Sequence, residues 1–156
     1  MTDEQKKQFT LRISQANKSG MIIVLYDIFL AYVQDGITYA TKDEVMYHTS
    51  VKKAKQTIEQ LTKSINPKNS LAGNYASLYG FALRQLTKAD SSKDTEILRQ
   101  LQTMVTSLRN AYEEVSKKDT SAPVMGNVQT VYAGLTYGKD HLTENLATTT
   151  NRGFLV

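Results

Sequence analysis

The distribution of apolar residues along the chain predicts a central helix near its start. Over residues 19–37 apolar side chains occupy every side of a helix, and within the run MIIVLYDIFLAYV only Asp27 is charged. A helix that is apolar all round is typically buried by several neighbours. We therefore expect this segment to be covered by other helices or by helices and a bound partner.

Three further segments each carry a single apolar stripe, which predicts amphipathic helices over about residues 42–65, 70–89 and 92–115. Asn66 and Pro67 are expected to end the first of these. Ser70 is the expected N-cap of the next, and Ser92 or Ser91 that of the last. The stripes are, in order, Tyr47, Val51, Ala54, Ile58, Leu61 and Ile65; Leu71, Tyr75, Leu78, Ala82, Leu86 and Ala89; Leu98, Leu101, Val105, Leu108, Tyr112 and Val115.

Four helices with short connections favour antiparallel neighbours. The predicted fold is therefore all-α, an antiparallel up-and-down four-helix bundle over residues 19–118. Residues 1–18 form a separate N-terminal segment. Residues 119–156 follow a break in the pattern at KKDTSAPVMGN and are expected to be an extra C-terminal tail, partly helical or extended.

Composition narrows the range of partners. The chain of 156 residues fits one domain, and the absence of cysteine excludes disulfides and thiolate chemistry. The net charge is +4, but lysine and arginine are scattered among acids, so we expect no nucleic-acid partner. The apolar run at residues 21–33 would rise only about 20 Å as a helix, which is shorter than a bilayer core, so no membrane insertion is expected.

The sequence offers no constellation for catalysis or for a metal. His48 and His141 are the only histidines, and neither belongs to the Glu-x-x-His pairs that hold metals in helix bundles. His48 lies off its helix's apolar stripe and is expected at the surface. Phosphate loops, dinucleotide fingerprints and nucleophile elbows are also missing. We therefore expect no enzyme activity and no cofactor.

Two features are left without a chemical role. Asp27 is expected either to reach solvent or to accept a hydrogen bond from a neighbouring helix. Tyr79 and Phe81 fall outside the stripe of the third helix, so they either pack into the core or line a groove for a partner. The nine tyrosines of the chain favour binding, since tyrosine is enriched at protein interfaces.

Four motifs resemble, in order and spacing, those of the flagellar secretion chaperone FliS family. They are ISQANKSGMIIVLYDI at residues 13–28, AKQTIEQL at 54–61, LAGNYASLYGFALRQLTKAD at 71–90 and VTSLRNAYEEV at 105–115. The resemblance covers about residues 9–115. The chain departs from the family where Lys18 replaces a proline, Ile28 a glycine, Phe9 a tyrosine and Tyr112 a tryptophan.

The resemblance implies a cytoplasmic export chaperone whose N-terminal segment caps the bundle. Such a protein binds the C-terminal region of flagellin, prevents its premature polymerisation and delivers it to the flagellar type III export gate. It acts as a monomer or weak dimer, with other flagellar regulators as further partners. Phe9 and Ile13 match the segment associated with the cap or with docking to the export gate. The candidates for the flagellin-binding groove are Leu25, Tyr26, Tyr75, Leu78, Tyr79, Leu98, Leu101, Val105, Leu108 and Tyr112.

Two alternatives remain open at this point. A helical bundle of this composition could instead be a non-catalytic structural protein that assembles with itself through its apolar surface. The tail, through residues 128–135 and 154–156, could fold back over the flagellin groove as a competing pseudo-ligand, or be an extra helix or a loose appendage.

Overall fold

The computed structural model describes residues 1–124, and this part of the chain is all-helical, which confirms the predicted class. It contains five helices and no strand: α1 (Asp3–Gln15), α2 (Lys18–Tyr39), α3 (Glu44–Lys63), α4 (Ala72–Ser92) and α5 (Thr95–Lys118). Helix α1 lies in the N-terminal segment, for which no helix was predicted. Its N-cap Thr2 and Gln5 form a reciprocal capping box. His141 and the two apolar tail segments lie outside the described residues.

Helix α2 is the central element of the fold, and its all-round apolar pattern has a direct cause. It packs against α1, α3 and α5, so three neighbours cover its different sides. Helix α4 closes the arrangement by packing against both α3 and α5. Tyr26, Ile28 and Phe29, on different sides of α2, are each completely buried. The expectation that neighbouring helices bury this segment is confirmed.

The length of α2 exceeds that of its apolar run. With 22 residues and a mean hydropathy of 1.5, it is long and apolar enough to cross a membrane by length and composition. More than half of its apolar window is nevertheless buried within the protein. Burial of this kind is the usual property of a core helix in a bundle.

The stripe of α3 is confirmed from Tyr47 to Leu61, but the helix ends at Lys63, before Ile65 and the expected stop at Asn66. The stripe of α4 needs correction. Tyr79, placed off the stripe, is only 3% exposed, whereas Leu71, placed on it, is 48% exposed. Leu78 is half-buried at the edge of the buried face of α4. The buried face of α4 is rotated toward Tyr79 because Ala82, Leu86 and Ala89 recur with it at helical spacing.

The expected N-caps of α4 and α5 are also wrong. Ser92 ends α4, and Lys93 turns the chain with a left-handed φ of 54°. Asp94 then caps α5 by accepting a hydrogen bond from the Glu96 N–H at 2.9 Å. Helix α4 begins after Leu71 without a side-chain cap, because Asn69 instead accepts the Leu71 N–H at 2.8 Å in the preceding turn.

Candidate functional site: an apolar groove between α4 and α5

The flank of α4 that faces α5 can be read from the contacts on its opposite flank. Asp90 of α4 hydrogen-bonds His48 of α3 at 2.6 Å, so that side of α4 faces α3. Leu78 and Phe81 lie on the other side of the buried face at helical spacing. They are therefore directed toward α5.

The matching flank of α5 follows from the same reasoning. Arg109 donates to Asp27 of α2 and Gln102 donates to Gln34 of α2, so this side of α5 faces α2. Met104 and Leu108 lie on the opposite side and face α4. Helices α4 and α5 pack less extensively than the other neighbouring pairs of the four. Their facing apolar side chains are consequently left partly uncovered.

We call this surface the α4–α5 groove. Its exposed members include Phe81 at 43% and Val115 at 50%, and Tyr75, Met104, Leu108 and Tyr112 pack against the core. An uncovered apolar strip of this kind on a soluble surface is typical of a protein-binding site. The groove consists of Leu71, Tyr75, Leu78 and Phe81 on one side and Met104, Leu108, Tyr112 and Val115 on the other.

A cluster of tyrosine rings supports the end of the groove where α4 begins. The ring centroids of Tyr75 and Tyr112 are 6.0 Å apart across the groove, and Tyr75 stacks on Tyr79 at 6.2 Å. Beneath them the hydroxyls of Tyr26 and Tyr79 share a hydrogen bond of 2.5 Å. The cluster joins α2, α4 and α5 and gives this end of the groove a rigid aromatic floor.

Burial keeps these hydroxyls neutral. Desolvation raises the pKa of Tyr79 to about 12, and it raises the pKa of Tyr26 further, where the hydrogen bond to Tyr79 adds to the effect. The pKa of Tyr112 is raised by burial as well. The floor of the groove therefore carries no charge at physiological pH and offers apolar faces with hydroxyl groups at their edges.

The residues proposed from the sequence for the groove divide into two sets. Tyr75, Leu78, Leu108 and Tyr112 lie along the α4–α5 groove, where a partner could touch them. The others belong to the core and are at most 3% exposed: Leu25, Tyr26, Tyr79, Leu98, Leu101 and Val105.

The N-terminal pair lies on a different part of the molecule. Helix α1 packs against α2, and Ile13 is buried there with 1% exposure, whereas Phe9 is half-buried. Among the described helices, α1 makes no close backbone contact with α4 or α5. Phe9 and Ile13 are therefore not brought together with the residues of the α4–α5 groove.

Asp27 accepts hydrogen bonds from two neighbouring helices. This confirms the expectation that a neighbouring helix donates to it. Arg12 of α1 donates to its carboxylate at 2.6 Å, and Nε of Arg109 in α5 donates at 2.5 Å. The pairing with Asp27 raises the pKa of Arg109. This acid thus ties α1 and α5 to the central helix.

Some groove residues were not singled out from the sequence. Leu71 and Val115 were assigned to core stripes, Met104 was not noted, and Phe81 was left open between core and groove. The sequence feature that could have identified them is an apolar residue beside a core stripe, on one flank of the helix only. Whether such a residue is buried or lines a groove depends on whether a neighbouring helix covers that flank, which is a property of the tertiary packing.

Residues 1–124 contain no group of three or more His, Asp or Glu side chains that could hold a metal ion. His48 is half-exposed, with one ring nitrogen bonded to Asp90 and the other 3.5 Å from Glu44. The arrangement links α3 to α4. The candidate site in the described residues is therefore the apolar α4–α5 groove.

Comparison with known proteins agrees with a binding role. The family model described as flagellar protein FliS matches residues 1–119, which confirms the resemblance noted in the sequence. Proteins of that family are flagellar export chaperones, not known as enzymes, with flagellar proteins as their partners in general. The curated proteins contain no match to the chain.

Proposed function

We propose that this chain, which belongs to the FliS family, is a cytoplasmic export chaperone for flagellin. In this proposal it binds the C-terminal segment of flagellin, prevents premature polymerisation and delivers the client to the flagellar type III export gate. The bundle of α2 to α5 is antiparallel and up-and-down, with α1 as its N-terminal cap. The protein acts as a monomer or weak dimer, and other flagellar regulators are further partners.

The observation that carries this proposal is the α4–α5 groove. It brings together aliphatic and aromatic side chains that the described helices leave half-buried or exposed. An amphipathic segment that folds on binding places apolar anchors along such a strip at helical spacing. Binding of this kind requires shape and apolar area but no catalytic group, which fits the composition of the groove.

The chemistry of the groove also suits a client that must later be released. Its walls are half-buried side chains such as Tyr75 and Leu108, so a client would cover limited additional area. A disordered segment also loses conformational freedom on binding, which lowers the affinity for a given contact area. Moderate affinity with rapid exchange is what handover at an export gate requires.

Calorimetric titration of the full chain with a flagellin C-terminal fragment tests the proposal. Phe81→Glu places a charge in the groove at a side chain that is 43% exposed, so folding should survive. We expect a one-to-one complex whose affinity falls about tenfold or more in this variant. The matched control is Val45→Glu, which alters an apolar side chain at 74% exposure on α3, away from the groove. Equal losses in both variants, or none in Phe81→Glu, would remove the groove from the proposal.

The same apolar strip supports a second candidate, self-assembly as a structural protein. Two copies could cover each other's grooves and hide Leu71, Phe81 and Val115. Sedimentation equilibrium separates the two functions. A dimer that resists dilution and has no affinity for flagellin would favour assembly over export.

A further inference from the structure

A pocket of about 240 Å³ opens at the end of the α4–α5 groove. It lies where α2 and α4 begin and where α3 and α5 end. Tyr75, Tyr79 and Tyr112 contribute to its apolar wall, and the polar residues Asn66 and Lys18 also line it. The pocket therefore combines an aromatic interior with a cation.

This end of the molecule carries positive charge that the described residues leave unpaired. Lys18, Lys63, Lys68 and Lys118 lie in or beside the segments that line the pocket, and none forms an ion pair within residues 1–124. No acidic residue in the described part of the chain lines the pocket, and Asp119, which reaches its rim at Ser19, is not among the lining residues.

Asp119 is also committed to other groups. Its carboxylate accepts hydrogen bonds from Ser121 and from the backbone N–H of Ser19 at 3.3 Å. These bonds lower the pKa of Asp119, so it remains charged and held in place. Because these four lysines have no ion-pair partner within residues 1–124 and no acid lines the pocket, this end of the molecule is complementary to an added carboxylate.

The size of the pocket restricts the form of its occupant. A volume of about 240 Å³ is smaller than the roughly 300–1,000 Å³ of sites that hold drug-sized ligands, and it has room for about one large side chain. A client that lies along the groove can therefore place its last residue there.

We propose that this pocket binds the C-terminal residue of the client. The client's last apolar side chain packs against Tyr75 and Tyr112, and its terminal carboxylate pairs with Lys18. This inference rests on the proposed function, because the client reaches the pocket by lying along the α4–α5 groove. It adds a direction to that binding, since the client's C-terminus lies at the end where α4 begins.

The test compares two synthetic peptides of the flagellin C-terminal segment that differ only in the chemical group at the C-terminus. One has a free carboxylate and the other a carboxamide. Both are titrated into the full-length chain, into Lys18→Met and into Lys68→Met, after thermal unfolding has shown that each variant is folded. Lys68→Met is the matched control, because Lys68 is an exposed lysine at the same end that does not line the pocket.

We expect the amide to bind the wild-type chain about fivefold more weakly than the acid, as for an accessible ion pair. This difference should disappear in Lys18→Met and persist in Lys68→Met, which isolates the pairwise interaction. Equal binding of acid and amide to the wild-type chain would overturn the pocket inference and leave the proposed function standing. A preference for the acid that survives in Lys18→Met would also overturn it. Failure of both peptides to bind would refute the proposed function itself.

Discussion

The hydrogen bond between Tyr26 and Tyr79 allows a sharp prediction about which aromatic residues support the fold. The two hydroxyls are 2.5 Å apart, and the side chains are 0% and 3% exposed. Each is the other's partner, and no buried side-chain polar atom in residues 1–124 lacks one. Tyr26→Phe therefore leaves the Tyr79 hydroxyl unsatisfied, and Tyr79→Phe does the same to Tyr26.

The cost of each single change follows from the loss of one hydrogen-bond partner. A buried polar group left without a partner costs about 1–3 kcal/mol, whereas removal of both partners can be nearly neutral. We expect each single variant to lose about 1–2 kcal/mol in the free energy of unfolding. The double variant Tyr26→Phe/Tyr79→Phe should lose no more free energy of unfolding than either single variant. The two changes would then be coupled by at least about 1 kcal/mol.

Urea unfolding followed by far-ultraviolet circular dichroism measures all three variants. Tyr112→Phe is the control, because Tyr112 is only half-buried, and we expect its change to stay within about 0.5 kcal/mol. Additive losses in the double variant would refute the reasoning. Tyr26→Phe should also leave the affinity for a flagellin fragment unchanged, since Tyr26 has no exposed surface.

Three further predictions concern α1 and the contact between α3 and α4. Asp27→Asn removes the negative charge and replaces one of the two carboxylate oxygens that accept from Arg12 and Arg109 with an NH₂ group, and it should cost about 1–2 kcal/mol in urea unfolding; an unchanged midpoint would contradict the role assigned to this acid. Ile13→Ala removes the buried anchor of α1, so hydrogen exchange should accelerate in Asp3–Gln15 while α3 keeps its protection; equal acceleration in both helices would argue against local release. The hydrogen bond to Asp90 raises the pKa of His48 above 6.5, so the stability it contributes is fully present below that pH and is lost as pH rises through the raised pKa. The difference in melting temperature between wild type and His48→Gln should thus be larger near pH 6 than near pH 9, and a constant difference would contradict the pairing.

The sequence was sufficient for α2 to α5 and for the central position of α2, because these depend on local apolar periodicity, whereas α1 was not predicted. Ser92 was misplaced because serine and aspartate are about equally good N-caps, so the sequence alone did not distinguish Ser92 from Asp94, which caps α5. Tyr79 was misplaced because a single-residue rotation of the buried face of α4 changes which apolar side chain lies inward.

The binding surface was only partly predictable for a different reason. Motif position placed Tyr75, Leu78, Leu108 and Tyr112 near a groove, but it also included Tyr26 and Leu98, which are completely buried. Whether an apolar side chain faces a partner or the core depends on the spacing of neighbouring helices. One sequence does not contain that information in its periodicity.

Seeded polymerisation of flagellin tests the central claim most directly. Monomeric flagellin is mixed with filament seeds and increasing amounts of the full-length chain, and filament growth is followed by light scattering. We predict that growth stops near one chain per flagellin, and that Phe81→Glu restores growth at the same concentration whereas Val45→Glu does not. Undiminished growth in the presence of excess wild-type chain would contradict the account.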